Sequence, residues 1–255
     1  MEFEGEMLKF MNLARQFPSY YVSLLDRQLE SFLNDKEMPI GDDVIYETNE
    51  GRPAWKEARA FLQNQRPLPP LELHPGLVQA ATDHALDLAQ HAIFGHTGSD
   101  KSTFSERILR YCKKGQGAMA EIIGADFVMA GRNNAELTVL GLIVDDGVVD
   151  RGHRKTIFSP DYRFVGYKSQ LQNDKLISVF NLTENRLQLR GQSRLYDPTA
   201  TAPNFKGALA NPTQIARNEP FSKTESNGYQ RDFNLRMNAE RPPLMPLARR
   251  GEYGQ

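Results

Sequence analysis

The chain lacks several features that would direct it to a particular environment. Of its 255 residues only Cys112 is a cysteine, so no internal disulfide can form, and unpaired thiols are typical of reducing compartments. No apolar run approaches the roughly 20 residues that a helix needs to cross a bilayer. The first residues, MEFEGE, are acidic, whereas secretory signals begin basic and continue apolar. These absences predict an intracellular protein that does not span a membrane.

The charges are distributed unevenly along the chain. Hydrophobic residues make up 40% and charged residues 25%, as in soluble globular proteins that bury a sizeable core. Residues 1–185 carry 20 Lys and Arg against 26 Asp and Glu, a net charge of −6, whereas residues 186–255 carry 11 against 6, a net charge of +5. A basic segment after an acidic body predicts a protein partner with an acidic surface. Dispersed arginines and few aromatics argue against nucleic-acid binding. Nothing in the sequence indicates an oligomeric state.

Helical periodicity dominates the first 150 residues. Apolar residues recur at intervals of three and four, Pro18 divides the first such stretch, and Thr103 with Glu106 forms a capping box. The predicted helices are residues 6–33 in two pieces, 54–62, 75–93, 103–111 and 134–144. Residues 39–53 are polar and interrupted by glycine, which predicts a loop, and residues 66–71 are proline-rich, which predicts an extended connector.

Strand patterns follow the helices. Residues 164–167 and 176–182 read as two strands joined by a turn at 172–174, whereas residues 118–130 fit a strand or a helix equally well. Helices followed by a hairpin predict an α+β fold. From residue 186 the chain has seven prolines in 70 residues and no sustained period. We therefore expect a folded domain over 1–185 and an extended C-terminal tail over 186–255, ordered by a partner.

Two short stretches each set a histidine beside a glycine, in loops that follow apolar helical patterns. They are Gly95–Asp100, with His96, and Val144–Arg154, with His153; the lone carboxylate of Glu121 lies between them. Such a trio could ligate zinc or transfer protons near neutral pH. No close His-x-x-x-His spacing is present, and two histidines fall short of the usual three protein ligands. Spacing alone therefore favours a polar network that fixes loops onto the core.

The order of the motifs is more specific than their spacing. The chain resembles the CAP superfamily, also called SCP after sperm-coating protein, over about residues 6–185, in a branch without disulfides. The residues that carry the resemblance are NLARQFP at 12–18, GHTGSD at 95–100, STFSERI at 102–108, EIIG at 121–124, LIVDDG at 142–147, DRGHR at 150–154 and IFSP at 157–160.

The resemblance implies an α-β-α sandwich with a central cleft that can bind a divalent metal, often zinc. By motif, His96 and His153 would be the metal-binding histidines and Glu121 the first acid, with the second acid at Asp145 or Asp146. The family's Gly-Glu-Asn triplet reads Ala-Glu-Ile at 120–122. This change retains the carboxylate but alters the hydrogen bonding around it, which brings metal binding into question.

Family membership does not define function, so three hypotheses stand. The first is a non-enzymatic CAP-domain protein that serves as a structural or binding component of an intracellular assembly. It would dock through residues 186–255 onto an acidic surface such as a microtubule, in the cytoplasm, the cytoskeleton or an axoneme. The second is a metal-dependent, hydrolase-like enzyme that uses the histidines and Glu121. The third is a lipid- or sterol-binding CAP protein.

Overall fold

The computed structural model describes residues 3–39, 44–128, 134–173 and 175–191, together with the strand at 234–237. The elements are α1 (Phe3–Gln16), α2 (Pro18–Ser31), β1 (Glu37–Pro39), β2 (Val44–Glu47), α3 (Arg52–Asn64), β3 (Glu72–Leu73), α4 (Pro75–His91), α5 (Phe104–Tyr111), β4 (Met119–Phe127), α6 (Asn134–Val144), α7 (Gly152–Ile157), β5 (Phe164–Gln172), β6 (Lys175–Thr183) and β7 (Asn234–Met237). None of the helices in these ranges is long and apolar enough to cross a membrane.

A four-stranded sheet forms the middle layer. Its strand order is β3-β5-β6-β4, with β3 parallel to β5 and the other pairs antiparallel. Helix α4 packs on β5 and β6, and α1 and α6 contact β5 and β4 respectively. The buried side chains on the α1 and α6 side belong to one core cluster, and those beneath α4 belong to two others. The α-β-α sandwich implied by the sequence is therefore confirmed.

Helix α4 lies against the sheet because its apolar residues recur at helical spacing. Pro75 occupies its first turn, where a missing N–H costs nothing, and Ala81, Ala85 and Leu88 pack on Ile123, Ile177 and Val179. The approach to β5 is very close. A Cβ atom built on Gly166 would lie 2.1 Å from the backbone of Leu77 and Val78. Glycine at this position therefore lets the helix and the sheet touch.

The opposite face of the sheet is covered by α1 and α6, and α2 packs against α1. Pro18 separates α1 from α2, as predicted. Arg15, only 1% exposed, inserts its guanidinium among four backbone carbonyls, of Pro69, Ile157, Ser159 and Tyr162. Burial lowers its pKa to about 10, which leaves it charged at neutral pH. This one side chain joins α1 to the 66–71 connector and to the segment between α7 and β5.

A second, smaller sheet corrects the prediction of a loop over residues 39–53. Strands β1 and β2 pair antiparallel, with Met38 opposite Tyr46. Met38 and Tyr46 belong to the core cluster beneath α1. The strand pattern is not visible in the sequence because polar residues and glycines flank these two positions. Strand β7, at 234–237, pairs antiparallel with the other edge of β2. A piece of the predicted tail thus lies on the body of the same chain.

The other expectations have mixed outcomes. The β5–β6 hairpin and the capping-box helix are confirmed, and the ambiguous stretch at 118–130 contains β4. The loop predicted around His153 is wrong, because Gly152–Ile157 form α7. Contacts with the body continue past the expected boundary at 185, since Leu187 is buried and Arg190 donates to the carbonyl of Tyr111. Residues 192–233 and 238–255 of the tail lie outside the described residues.

Candidate functional site: two clusters of histidine and carboxylate

The first cluster forms between helix α4 and strand β4. Glu121 lies on the same face of β4 as Ile123 and Ala125, which pack beneath α4, because residues two apart on a strand point to the same side of the sheet. On α4, His84 follows Ala81 by three residues and precedes Leu88 by four, so it lies on the same apolar stripe. The packing of this stripe therefore brings the imidazole to the carboxylate: His84 Nε2 lies 3.8 Å from Glu121 Oε1.

Glu121 is fully enclosed by donors. Its side chain has no exposed surface, and Arg107 Nη2 donates to both oxygens, at 3.0 Å to Oε1 and 2.9 Å to Oε2. His96 Nδ1 lies 3.0 Å from Oε1. Asn181 lies directly opposite on β6. In the amide orientation that satisfies both of its polar atoms, its nitrogen donates to Oε2 at 3.2 Å and its oxygen accepts from the backbone N–H of Ala81. A buried carboxylate requires such partners, and here its charge is neutralised by a guanidinium.

Arg107 is itself held rigidly in place. It is 2% exposed, and its guanidinium also donates to the carbonyls of Ser102 and His96. It enters the cluster from α5, whose first turn is fixed by the capping box between Thr103 and Glu106. Reciprocal hydrogen bonds of this kind define where a helix begins. The start of α5 therefore sets the position of the cation beneath Glu121.

The two histidines of the first cluster have different environments. His84 is fully buried; its Nε2 donates to the carbonyl of Gly95 at 2.8 Å, and its Nδ1 has no hydrogen-bond partner among the residues that the structure describes. Burial lowers the pKa of His84 below its ordinary value, so the neutral form dominates at pH 7. His96 keeps 39% of its side chain exposed while Glu121 fixes its Nδ1. Of the two, His96 is the one that a ligand could reach.

The second cluster joins His153 to Asp145 at the start of α7. His153 Nδ1 lies 2.7 Å from Asp145 Oδ1, and Asp145 Oδ2 accepts the backbone N–H groups of His153 and Arg154. Asp145 has no exposed surface and adopts a positive φ of 58° just after α6. Of the two acids considered for this position, Asp145 is thus the partner of the histidine.

Asp146 is hydrogen-bonded to a different part of the chain, the loop before α3. Its two oxygens accept the backbone N–H groups of Asn49 and Glu50, each at 2.7 Å. Glu50 in turn accepts from the backbone of Gly147 and from Arg151. Hydrogen bonding to Arg151 lowers the pKa of Glu50. Together these contacts tie the loop before α3 to the loop after α6.

The structure thus divides the sequence-predicted residues into separate groups. It brings His96 to Glu121 and His153 to Asp145, whereas Asp146 bonds to the loop before α3. Within the described ranges, no group of three or more His, Cys, Asp or Glu side chains is arranged to hold a metal ion. On His96 the ring nitrogen that does not contact Glu121 is Nε2, but the carboxylate beside this histidine is already neutralised by Arg107.

These residues do not fit the divalent metal that the family resemblance implies. A structural zinc site needs four donors, and a catalytic one commonly three from the protein. The ligand role predicted for His96 and His153 gains no support from this geometry and stays a prediction.

Three members of the first cluster were not foreseen from the sequence as parts of a site. His84 lies in the apolar stripe of α4, which is typical of a hydrogen-bonded core histidine, and its Nε2 does donate to the Gly95 carbonyl. Its nearness to Glu121 depends on the helix–sheet packing. Arg107 carried a signal, because it lies three residues after Phe104 and four before Tyr111, on the buried face of α5. Asn181 could be found only from the register of β4 and β6.

A polar hollow of about 370 Å³ adjoins the first cluster on its outer side. Its lining includes Asp83, Asp87, Asp100, Arg107 and Arg110. The carboxylates here are already hydrogen-bonded: Asp83 accepts from Tyr111, Asp87 from Ser99 and Asp100 from Arg110. These bonds connect α4, the Gly95–Asp100 loop and α5. The hollow is therefore a polar junction between these elements.

The fold and these clusters define a class of protein: an α-β-α sandwich in which two histidines, His96 and His153, each contact a buried carboxylate. The model of the CAP family, described as the cysteine-rich secretory protein family, matches residues 45–181. The chain belongs to this family, although it contains only one cysteine. The recognition made from the sequence motifs is confirmed.

Two solved structures share detectable similarity with the chain. One is an extracellular protein containing an SCP domain from Bacillus anthracis strain Ames, at 19% identity, covering 46% of this chain and 35% of that one, with a TM-score of 0.36. The other is an outer surface protein from Borrelia burgdorferi, at 19% identity, covering 50% of this chain and 84% of that one, with a TM-score of 0.36. No curated protein matches the chain.

Proposed function

We propose that this protein is a non-enzymatic CAP-domain component of an intracellular assembly, in which the domain is a rigid body and the basic tail is the docking element. The observation that carries the proposal is the state of the family cleft. Glu121 is neutralised by Arg107, and Asp145 accepts two backbone N–H groups and a histidine. Both carboxylates act as anchors for the fold.

The distribution of charge supports docking through the tail. Residues 186–255 carry a net charge of +5 beside a body of −6, so the tail is attracted to an acidic surface. Strand β7 shows that a tail segment can add to a sheet edge by main-chain pairing, a mode that extended peptides commonly use. A polymer with an acidic surface, such as a microtubule, is the partner class that this chemistry fits.

One observation favours an enzyme as the second candidate. His96 is partly exposed, and Glu121 fixes its Nδ1, which is the arrangement of a carboxylate that orients a general base. A hydrolase-like activity would use Nε2 of His96 as the base. Among the described residues no group of three or more His, Cys, Asp or Glu side chains is placed to hold a metal ion for such a reaction, so the binding function is the better supported of the two.

Co-sedimentation of the full chain with microtubules tests the proposal. In one variant the nine Lys and Arg residues of 192–255 are changed to Gln, and in a matched variant the six Asp and Glu residues of that range are changed to Asn or Gln. We expect binding that weakens with salt, is lost in the first variant and strengthens in the second. Equal binding by all three proteins, or no binding by any, contradicts docking through tail charge.

A further inference from the structure

Arg107 has an electrostatic role that the family resemblance does not assign to it. Histidine and carboxylate groups are ligands for zinc, and a divalent cation bound between them would be the largest positive charge beside the carboxylate. In this chain Arg107 Nη2 bonds to both oxygens of Glu121, at 3.0 and 2.9 Å, and neither side chain is more than 2% exposed. The position beside the carboxylate is therefore already filled by a fixed positive charge.

The hydrogen bonds of the cluster reinforce this arrangement. Oε1 of Glu121 is hydrogen-bonded to Arg107 and His96, and Oε2 is hydrogen-bonded to Arg107 and Asn181. A metal ion that bonded to either oxygen would displace a donor and leave a buried polar group unsatisfied, which is costly. It would also lie beside the guanidinium, where two positive charges repel each other strongly because little water screens them.

The guanidinium cannot simply move aside to admit a metal. Its Nη1 donates to the carbonyl of Ser102 at 2.7 Å, and its Nη2 also donates to the carbonyl of His96 at 2.9 Å. These two carbonyls belong to the loop that presents His96. Arg107 therefore holds both the carboxylate and the backbone of the exposed histidine.

We infer that Arg107 is a built-in cation that replaces a divalent metal at this cleft and closes the His96–Glu121 pair to metal binding. The inference deepens the proposed non-enzymatic function, and it makes a separate statement about metal selectivity. Arg107 is a positioning residue for His96, because it acts through Glu121 and through the carbonyl of His96.

Zinc binding to the full chain, measured by isothermal titration calorimetry and by the visible spectrum with cobalt in place of zinc, tests the inference. The wild-type chain should show no metal uptake that depends on His96. Arg107→Gln removes the charge and retains an amide donor, so its zinc affinity should rise at least tenfold. Adding His96→Ala to Arg107→Gln should abolish that gain, and Arg107→Lys should behave as wild type.

Two outcomes overturn the inference: stoichiometric zinc on the wild-type chain that is lost in His96→Ala, or a folded Arg107→Gln variant whose affinity does not rise. If circular dichroism shows that Arg107→Gln does not fold, the titrations of wild type and His96→Ala decide the question. Zinc uptake that depends on His96 contradicts a closed site, and the absence of such uptake agrees with one. The titration measures metal uptake and the sedimentation measures microtubule binding, so failure here and failure of microtubule docking are distinguishable.

Discussion

The buried ionisable side chains differ in how the cost of burying a charge is avoided. Arg15 is a buried cation with four carbonyl acceptors, whereas Arg107 is a buried cation with a carboxylate partner. His84 avoids carrying charge: it is fully buried, and burial lowers its pKa. Because a pKa that differs between folded and unfolded chains is a stability effect, His84 provides a direct test of the cluster at the scale of the residue.

The folded protein should lose stability as the pH falls from 8 to 5, and part of this loss should come from His84. Its pKa is lower in the folded chain than in the unfolded chain, so the unfolded chain binds the proton first. The stabilising effect is full above the unfolded pKa, about 6.5, and declines below it by at most about 1.4 kcal/mol per pH unit for one group.

Denaturant unfolding across this pH range measures the effect. His84→Gln retains a donor for Gly95 and removes the titration, so its stability should depend less on pH than that of wild type. His91→Gln, which changes a largely exposed histidine on the same helix, is the matched control. His74, whose pKa burial also lowers, contributes equally to all three proteins. Parallel curves for wild type and His84→Gln would contradict a buried neutral His84.

At the scale of elements, the contact between α4 and the sheet depends on one glycine. A Cβ atom on Gly166 would lie 2.1 Å from backbone atoms of α4, whereas a Cβ atom on Gly124 in β4 would meet its nearest neighbour at 3.5 Å. Backbone atoms cannot give way as a flexible side chain can, so Gly166→Ala must push the helix away from β5 and loosen the core beneath it.

We expect Gly166→Ala to lower the free energy of unfolding by about 3 kcal/mol or more, measured by urea denaturation. Gly124→Ala, in the same sheet and with room for a methyl group, should change it by less than about 1 kcal/mol. Similar losses in the two variants would show that the α4–β5 contact is less close than described.

The elements also show what could be predicted from the sequence. Helix α4 could be predicted from its apolar spacing and α5 from its capping box, because both signals depend on residues that are close together in the sequence. Strands β1 and β2 were missed, since their pairing brings together residues separated by a polar stretch. The His96–Glu121 contact followed from family motifs, whereas Arg107 and Asn181 joined the site only through helix docking and strand register, which spacing along the chain does not encode.

The molecule as a whole combines an acidic body with a basic tail, at net charges of −6 over residues 1–185 and +5 over residues 186–255. The acidic residues that the resemblance places in the metal-binding cleft here connect elements: Glu121 joins β4 to α5 through Arg107, and Asp145 joins the end of α6 to α7. Asp146 joins the loop after α6 to the loop before α3. The central claim is that these charges stabilise the fold. Functional carboxylates behave differently, because removing them commonly leaves stability unchanged or increases it.

A double-mutant cycle on Glu121 and Arg107 tests this claim most directly. The free energy of unfolding is measured for wild type, Glu121→Gln, Arg107→Met and the double variant. Each single change leaves a buried charge without its partner, so each should cost about 3 kcal/mol or more. The double variant should cost clearly less than the two losses added together, by more than about 1 kcal/mol. A Glu121→Gln protein as stable as wild type, or more stable, would contradict the account and indicate a carboxylate kept for function.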